Sequence, residues 1–339
     1  MDDKEIEYCR LLSEEFFGVT PSETKPLKAS GSGRHYYRIG IDSKTYIICI
    51  SANIKENETF VRLSRYLKRA GISVPGVLYV ASGGGAYILG DLGDTDLLSL
   101  ISDETFPRSQ LWIIIEKTIS RLVCLQRLTH DEWKRLVGFE PLDSSLIRHD
   151  FRYAEENLFA LSGIDYDSHK LHCQLSGLEE RLLAYPSELW GLMFRDFQSR
   201  NIMIRESNPY FIDYQSSRYG PGIYDLVSFA WQAKAGFSRA DRERIINLYI
   251  KEYTRDVGTG AEALRGEVPY WAMFRIIQTL GAYGLRGLKE GKPHFISSIP
   301  LALTNLRDII STNGLTESFS ELYAITDRLL CNFANPSRQ

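Results

Sequence analysis

The chain has 339 residues, enough for two lobes or two domains, with 44% hydrophobic and 24% charged residues, an ordinary globular mix. A formal net charge of −3 leaves no global basic footprint for nucleic acid or an anionic membrane. Five widely spaced cysteines without a Cys-x-x-Cys pair argue against a disulfide scaffold or zinc ribbon; the polar start MDDKEIEYCR does not read as a signal peptide, and no apolar run reaches the roughly 18 residues of a spanning helix, so a soluble cytoplasmic protein is expected.

Residues 4–17 carry apolar side chains at helical spacing. Between 27 and 50 the pattern changes. KASGSGRHYYRIGI, the polar turn IDSK and TYIICI read as strand, glycine loop, strand, turn, strand. An amphipathic helix over 56–70 stops at Gly71, and VPGVLYV and AYILGDL are two strands joined by ASGGG. Beyond residue 93 the pattern is mostly helical, near 109–129, 146–161, 169–184, 239–254, 267–289 and 317–332. One β insertion at 202–213 interrupts it: NIMIR, the turn ESNP, then YFID. This order predicts an α+β, two-lobed fold. Residues 1–92 form a small β-rich N-terminal lobe and residues 93–339 a larger, mostly helical C-terminal lobe, with the cleft between them the expected ligand site.

The segment FRDFQSRNIMIRESNPYFIDYQ (194–215) concentrates the chemistry. It holds Asp196, then Asn201, then the hairpin, then Asp213. The strands of a hairpin run antiparallel, so the residue before the first and the residue after the second emerge at one end. Asn201 is thereby brought beside Asp213. Two hard oxygen ligands side by side suit Mg²⁺, which completes its shell with waters and phosphate oxygens. Asp196, one short loop upstream, is placed to accept a proton from an attacking hydroxyl. Asp, Asn and Asp in these roles form the core of kinase-type phosphoryl transfer.

On these residues the chain resembles the aminoglycoside phosphotransferase family, which has the protein-kinase-like fold. The family's loop H-G-D-x-x-x-x-N appears as Phe194-Arg195-Asp196 through Asn201, and its metal motif as Ile212-Asp213-Tyr214. Tyr224-Asp225-Leu226 matches its YDLA-like segment, making Asp225 a structural residue near the site. The form R-D-[YF]-x-[SA]-R-N is similar to bacterial kinases that act on N-acetylmuramate and N-acetylglucosamine at the C1 hydroxyl.

The resemblance implies ATP and Mg²⁺ as cofactors, Asp196 as the catalytic base, and Asn201 and Asp213 as metal ligands. Ser30, Gly31, Ser32 and Gly33 would fold backbone N–H groups over the phosphates. Gly90, Asp91 and Leu92 resemble the hinge whose backbone holds adenine, and Glu58 matches the helix acid that pairs with a strand lysine. That lysine is missing: Ile48 and Cys49 stand where it should fall, leaving Arg34, Arg38 or Lys44 as substitute cations. Phe194 replaces the usual histidine. Arg275 and Gln278, one helical turn apart, are candidate substrate contacts. His169, His172 and Cys173 read as the face of an amphipathic helix rather than a metal clip.

The expected activity is ATP-dependent phosphorylation of a small-molecule hydroxyl, leaning to a cell-wall amino sugar, with no nucleic-acid or membrane partner. An aminoglycoside, choline or another amino alcohol is the alternative acceptor. The alternative of another class is a pseudokinase acting as a binding module. The missing lysine and histidine suggest it, and the intact Asp, Asn, Asp set argues against it.

Overall fold

The computed structural model describes residues 3–27, 33–128, 141–255 and 260–334. By contact the chain divides into two compact units. One is built mainly from Met1–Leu97 and Arg200–Ser216, the other from Leu98–Arg127, Glu140–Ser199 and Ser217–Gln339.

The first unit runs α1 (Asp3–Phe17), β1 (Glu23–Pro26), β2 (His35–Ile41), β3 (Lys44–Ile50), α2 (Ile54–Arg69), β4 (Val77–Val80) and β5 (Ala86–Gly90). Its antiparallel sheet has the order β1-β2-β3-β5-β4. Strand alternation sorts the two faces. Tyr37, Ile39, Ile41, Ile48, Ala86 and Ile88 close a core with Cys9 and Leu12 of α1. On the other face Tyr36, Cys49 and Tyr87 align in one row across β2, β3 and β5. Phe60 of α2 packs there, its ring 4.9 Å from Tyr87 and 5.1 Å from Tyr214, and the Ser64 and Tyr214 hydroxyls are 2.7 Å apart. Asn53 caps α2 by accepting the Glu56 N–H at 3.2 Å. Gly71, at φ +78, turns the chain just beyond its end.

The hairpin of β7 (Ile202–Arg205) and β8 (Asn208–Phe211) groups with this unit, although the sequence embeds it among helices. Its edges explain why: Ile204 N–H donates to Thr95 O at 2.8 Å and Phe211 N–H to Ser73 O at 2.9 Å. The turn is tighter than the four residues ESNP. Only Glu206 and Ser207 lie outside the strands, both left-handed at φ +52 and +59, the conformation that matches strand twist in a two-residue turn. Pro209 sits within β8 opposite Ile204, a non-hydrogen-bonded pair where the missing N–H removes no ladder bond.

The second unit is mostly helical. Its elements are α3 (Leu97–Ser102), α4 (Arg108–Gln126), α5 (Ser144–Ala154), α6 (Ser168–Leu183), α7 (Ile223–Ala230), α8 (Arg239–Thr254), α9 (Ala261–Tyr283), α10 (Pro293–Ile296), α11 (Ile299–Thr312) and α12 (Ser320–Ala334). A short pair, β6 (Trp190–Met193) with β9 (Arg218–Pro221), accompanies them. Trp271, Met273, Phe274 and Ile277 of α9 are fully buried. A π-turn over Glu155–Phe159 continues α5 and another over Gly284–Lys289 continues α9. The two pass so closely that a Cβ on Gly284 would lie 2.2 Å from Asn157 O. Among the described residues no helix is long and apolar enough to cross a membrane.

Candidate active site

In the second unit β6 delivers the chain into the loop that carries Asp196. Phe194 is buried and meets Phe197 edge-on at 5.5 Å, an aromatic filling where the resemblance expects histidine. Arg195 follows at φ +74, a left-handed conformation that costs a non-glycine residue about 1–3 kcal/mol unless its surroundings enforce it. The enforcing group is Asp225, in the first turn of α7. Its fully buried carboxylate accepts the Phe194 N–H at 2.8 Å, the Arg195 N–H at 2.9 Å and Gln126 Nε2 at 3.2 Å. Burial pushes the Asp225 carboxyl up to about 7, against the pull of these donors. At the far end of the loop, Ser199 donates its N–H (2.7 Å) and hydroxyl (2.6 Å) to Gln232 Oε1.

Asp196 itself is 40% exposed, and Arg275 Nη2 donates to its Oδ1 at 3.3 Å. Arg275 is buried in α9 and also donates to Ser228 Oγ (3.0 Å), the Tyr224 hydroxyl (3.3 Å) and Gln278 Oε1. Of the expected substrate contacts, Arg275 thus bonds Asp196, and Gln278 bonds Arg275. Nearby on α5, burial raises the pKa of Asp150, while Arg195, His149, Arg275 and Arg218 pull it down. Three guanidiniums, those of Arg195, Arg275 and Arg218, act on this acid.

In the first unit Asn201 precedes β7 and Asp213 follows β8. Ile212 N–H donates to Asn201 O at 3.0 Å, so the ladder runs one residue past the hairpin and both residues emerge at one end. Asn201 is buried, and Asp213 sits at φ +68 with Oδ1 accepting from Gln215 Nε2 at 2.7 Å. Among the described residues no group of three or more His, Cys, Asp or Glu could cage a metal. One carboxylate and one amide oxygen fit Mg²⁺, which takes the rest of its shell from water and phosphate.

Of the expected nucleotide residues, Ser30, Gly31 and Ser32 lie outside the described residues, and Gly33 begins the next described stretch. Gly90 N–H is bonded to Gly76 O at 3.0 Å, and Leu92 is half-buried. Asp91 is fixed by Arg38 Nε at 2.7 Å and the Gly93 N–H at 2.9 Å. Burial works against its ionisation, yet Arg38, Thr45 and the Gly93 amide hold its carboxyl below the usual range. Arg38 also donates to Asp94 at 2.7 Å, so this cation fastens the 91–94 turn. Glu58 is exposed; two residues earlier, Glu56 meets a cation instead, with Oε1 2.9 Å from Arg34 Nη2. The sequence reading missed Glu56 because it starts the helix there, whereas the Asn53 cap starts it at Ile54.

The second unit thus presents an aspartate on a clamped loop, and the first closes a hairpin with an Asn and an Asp at one end. The sequence model of the phosphotransferase enzyme family matches residues 23–264, and the chain belongs to that family. It is 22% identical to the N-acetylmuramate/N-acetylglucosamine kinase of Pseudomonas aeruginosa over 328 residues, 92% of this chain and 91% of the relative. A choline/ethanolamine kinase family protein from Mesorhizobium loti is similar in structure, with TM-score 0.61 at 17% identity over 94% of this chain and 99% of that one. ADP-bound aminoglycoside phosphotransferase APH(2'')-Ib follows at TM-score 0.60 and 12% identity, over 91% and 99%. The fold is protein-kinase-like, and the protein is a phosphotransferase with an alcohol acceptor.

Proposed function

We propose that the protein transfers the γ-phosphoryl group of ATP to a hydroxyl of an amino sugar, with the C1 hydroxyl of N-acetylmuramate or N-acetylglucosamine as first candidates. The observation that carries this is the Asp196 carboxylate, held in place by the Asp225 clamp on one side and Arg275 on the other. Asp196 orients the acceptor hydroxyl and takes its proton. Asn201 and Asp213 would hold Mg²⁺, which when bound would supply positive charge to the phosphoryl oxygens. The protein's contribution is mainly positioning.

Two features support a sugar acceptor. The three arginines that act on Asp150, Arg195, Arg218 and Arg275, disfavour polycationic aminoglycosides and choline, and suit a neutral or carboxylate-bearing sugar. Beside Arg275, Gln198, Trp231, Gln232, Thr279 and Tyr283 line a small recess whose amides, hydroxyls and indole are the groups that bind sugars. The Pseudomonas relative bears the name of an amino-sugar kinase. The test is Mg-ATP consumption with N-acetylmuramate, N-acetylglucosamine, an aminoglycoside, choline and ethanolamine, with the phosphorylated position read by phosphorus NMR. Turnover with choline or the aminoglycoside alone refutes the sugar reading. Mg-ATP binding without turnover on any acceptor supports the binding-module alternative.

A further inference from the structure

Arg34 lies at the lead-in to β2 with its side chain 2% exposed. A guanidinium keeps its charge at every physiological pH and carries five N–H donors. Nη2 is within 2.9 Å of Glu56 Oε1 but out of hydrogen-bond alignment, Tyr36 is a further side-chain partner of the guanidinium, and among the described residues neither Nε nor Nη2 has an aligned acceptor. Phe60 offers only the face of its ring, 5.7 Å from Cζ. A buried cation with one partly exposed counter-ion and two unmatched donors is an expensive arrangement unless an anion completes it.

Its position indicates which anion. Residues 34 and 36 share a sheet face, and Tyr36, Cys49 and Tyr87 form one row on that face. The Arg34 charge acts on all three of these side chains. Of Ile48 and Cys49, where the resemblance places the strand lysine, Cys49 is the one in this row, and Arg34 reaches toward it from the lead-in to the neighbouring strand. It also meets an acid in the first turn of α2, the partner a strand lysine takes in kinases. Tyr36, beside the guanidinium, feels the charge of Asp213 as well. Tyr36 thus stands between the buried cation and the exposed Asp213 carboxylate of the same unit, feeling the charge of both.

We propose that Arg34, oriented by Glu56, is the cation that binds the nucleotide phosphates, replacing the missing strand lysine. This rests on the kinase reading. The fork geometry implies two N–H contacts to phosphate oxygens where lysine offers a point charge, so lysine at position 34 is not an equivalent substitute.

The test is calorimetric titration of Mg-ADP into the wild-type protein, Arg34→Met, Arg34→Lys and Arg34→Met/Cys49→Lys, with a thermal melt of each. Arg34→Met is expected to weaken Mg-ADP by on the order of 10- to 100-fold, the scale of hydrogen bonds to a charged group. Arg34→Lys should lose less, and Cys49→Lys should recover part of the Arg34→Met loss by restoring a cation beside Glu56. A cooperatively melting Arg34→Met protein that binds within twofold of wild type overturns the assignment. If Arg34→Met does not fold, Glu56→Gln decides: several-fold weaker binding supports the proposal and unchanged binding overturns it. A wild-type protein that binds no Mg-ADP overturns the kinase reading and this proposal with it.

Discussion

Replacing Asp225 with alanine leaves the Phe194 and Arg195 N–H groups buried without their acceptor. Each hydrogen bond to a charged acceptor contributes about 1.5–3 kcal/mol. Against that stands the cost of burying the carboxylate. The rise from 3.8 to about 7 is already net of these donors and corresponds to about 4.5 kcal/mol at most, at ~1.4 kcal/mol per pKa unit. The donors therefore do not fully offset the burial of the ionised form, and Asp225→Ala is expected to destabilise by only ~1–3 kcal/mol, within the usual range for a point substitution. The effect on catalysis is larger. Without the clamp, Arg195 relaxes from φ +74 and carries Asp196 with it, and a shift of about 1 Å costs on the order of 100-fold in kcat. A coupled ATP-consumption assay reads kcat, and calorimetry reads stability. A folded Asp225→Ala enzyme with kcat within threefold of wild type refutes the clamp. The pH dependence gives a separate check. Because the folded pKa is raised, the native state binds this proton more tightly than the unfolded chain does. The contribution of Asp225 is therefore full below the unfolded value of 3.8 and declines as pH rises through about 7. The stability gap between wild type and Asp225→Ala should be wider at the acid end of that window than at its alkaline end.

Asp196→Asn should lower kcat by on the order of 10²–10⁴-fold, the range for a lost general base, while Mg-ADP still binds by calorimetry; a near-normal rate removes Asp196 from the role. Asp213→Asn should abolish Mg-ATP turnover across a Mg²⁺ titration, and sustained turnover would refute the metal assignment. Arg275→Met removes the contact that orients Asp196 and should cut kcat roughly 10- to 100-fold, with a smaller change in the KM for ATP. Gly284→Ala forces a methyl group into Asn157 O, and a loss of about 1–3 kcal/mol is expected by urea denaturation. An unchanged midpoint would show that the π-turns can separate freely.

The hairpin and its flanking residues were legible because a period of two, a turn and a fixed strand direction determine where the ends emerge. The first-unit sheet was legible for the same reason, through the alternation in HYYRIGI. Helix α7 was not, since all eight residues of IYDLVSFA are buried and a helix covered on every side shows no amphipathic period. Helix α11 and the four-residue strands β6 and β9 likewise escaped the reading. The one-turn spacing of Arg275 and Gln278 was visible, but the bond from Arg275 to Asp196 was not, because Asp196 is far away in sequence. The Asp225 clamp had the same obstacle: its donors come from the 194–195 loop and from Gln126, contacts that only tertiary packing creates.

The cysteines divide the chain kinetically. Cys124, Cys173 and Cys331 are exposed on helices of the second unit, whereas Cys9 and Cys49 are buried in the first. Burial raises both buried thiols, Cys9 to about 12, which leaves them little thiolate. An alkylating reagent should therefore consume three thiols at once and reach the other two only as fast as the sheet opens. Cys49 lies within the field of the Arg34 guanidinium, so its alkylation half-life is a clock for opening at that corner. A nucleotide that docks there should slow this clock while leaving the three surface thiols untouched.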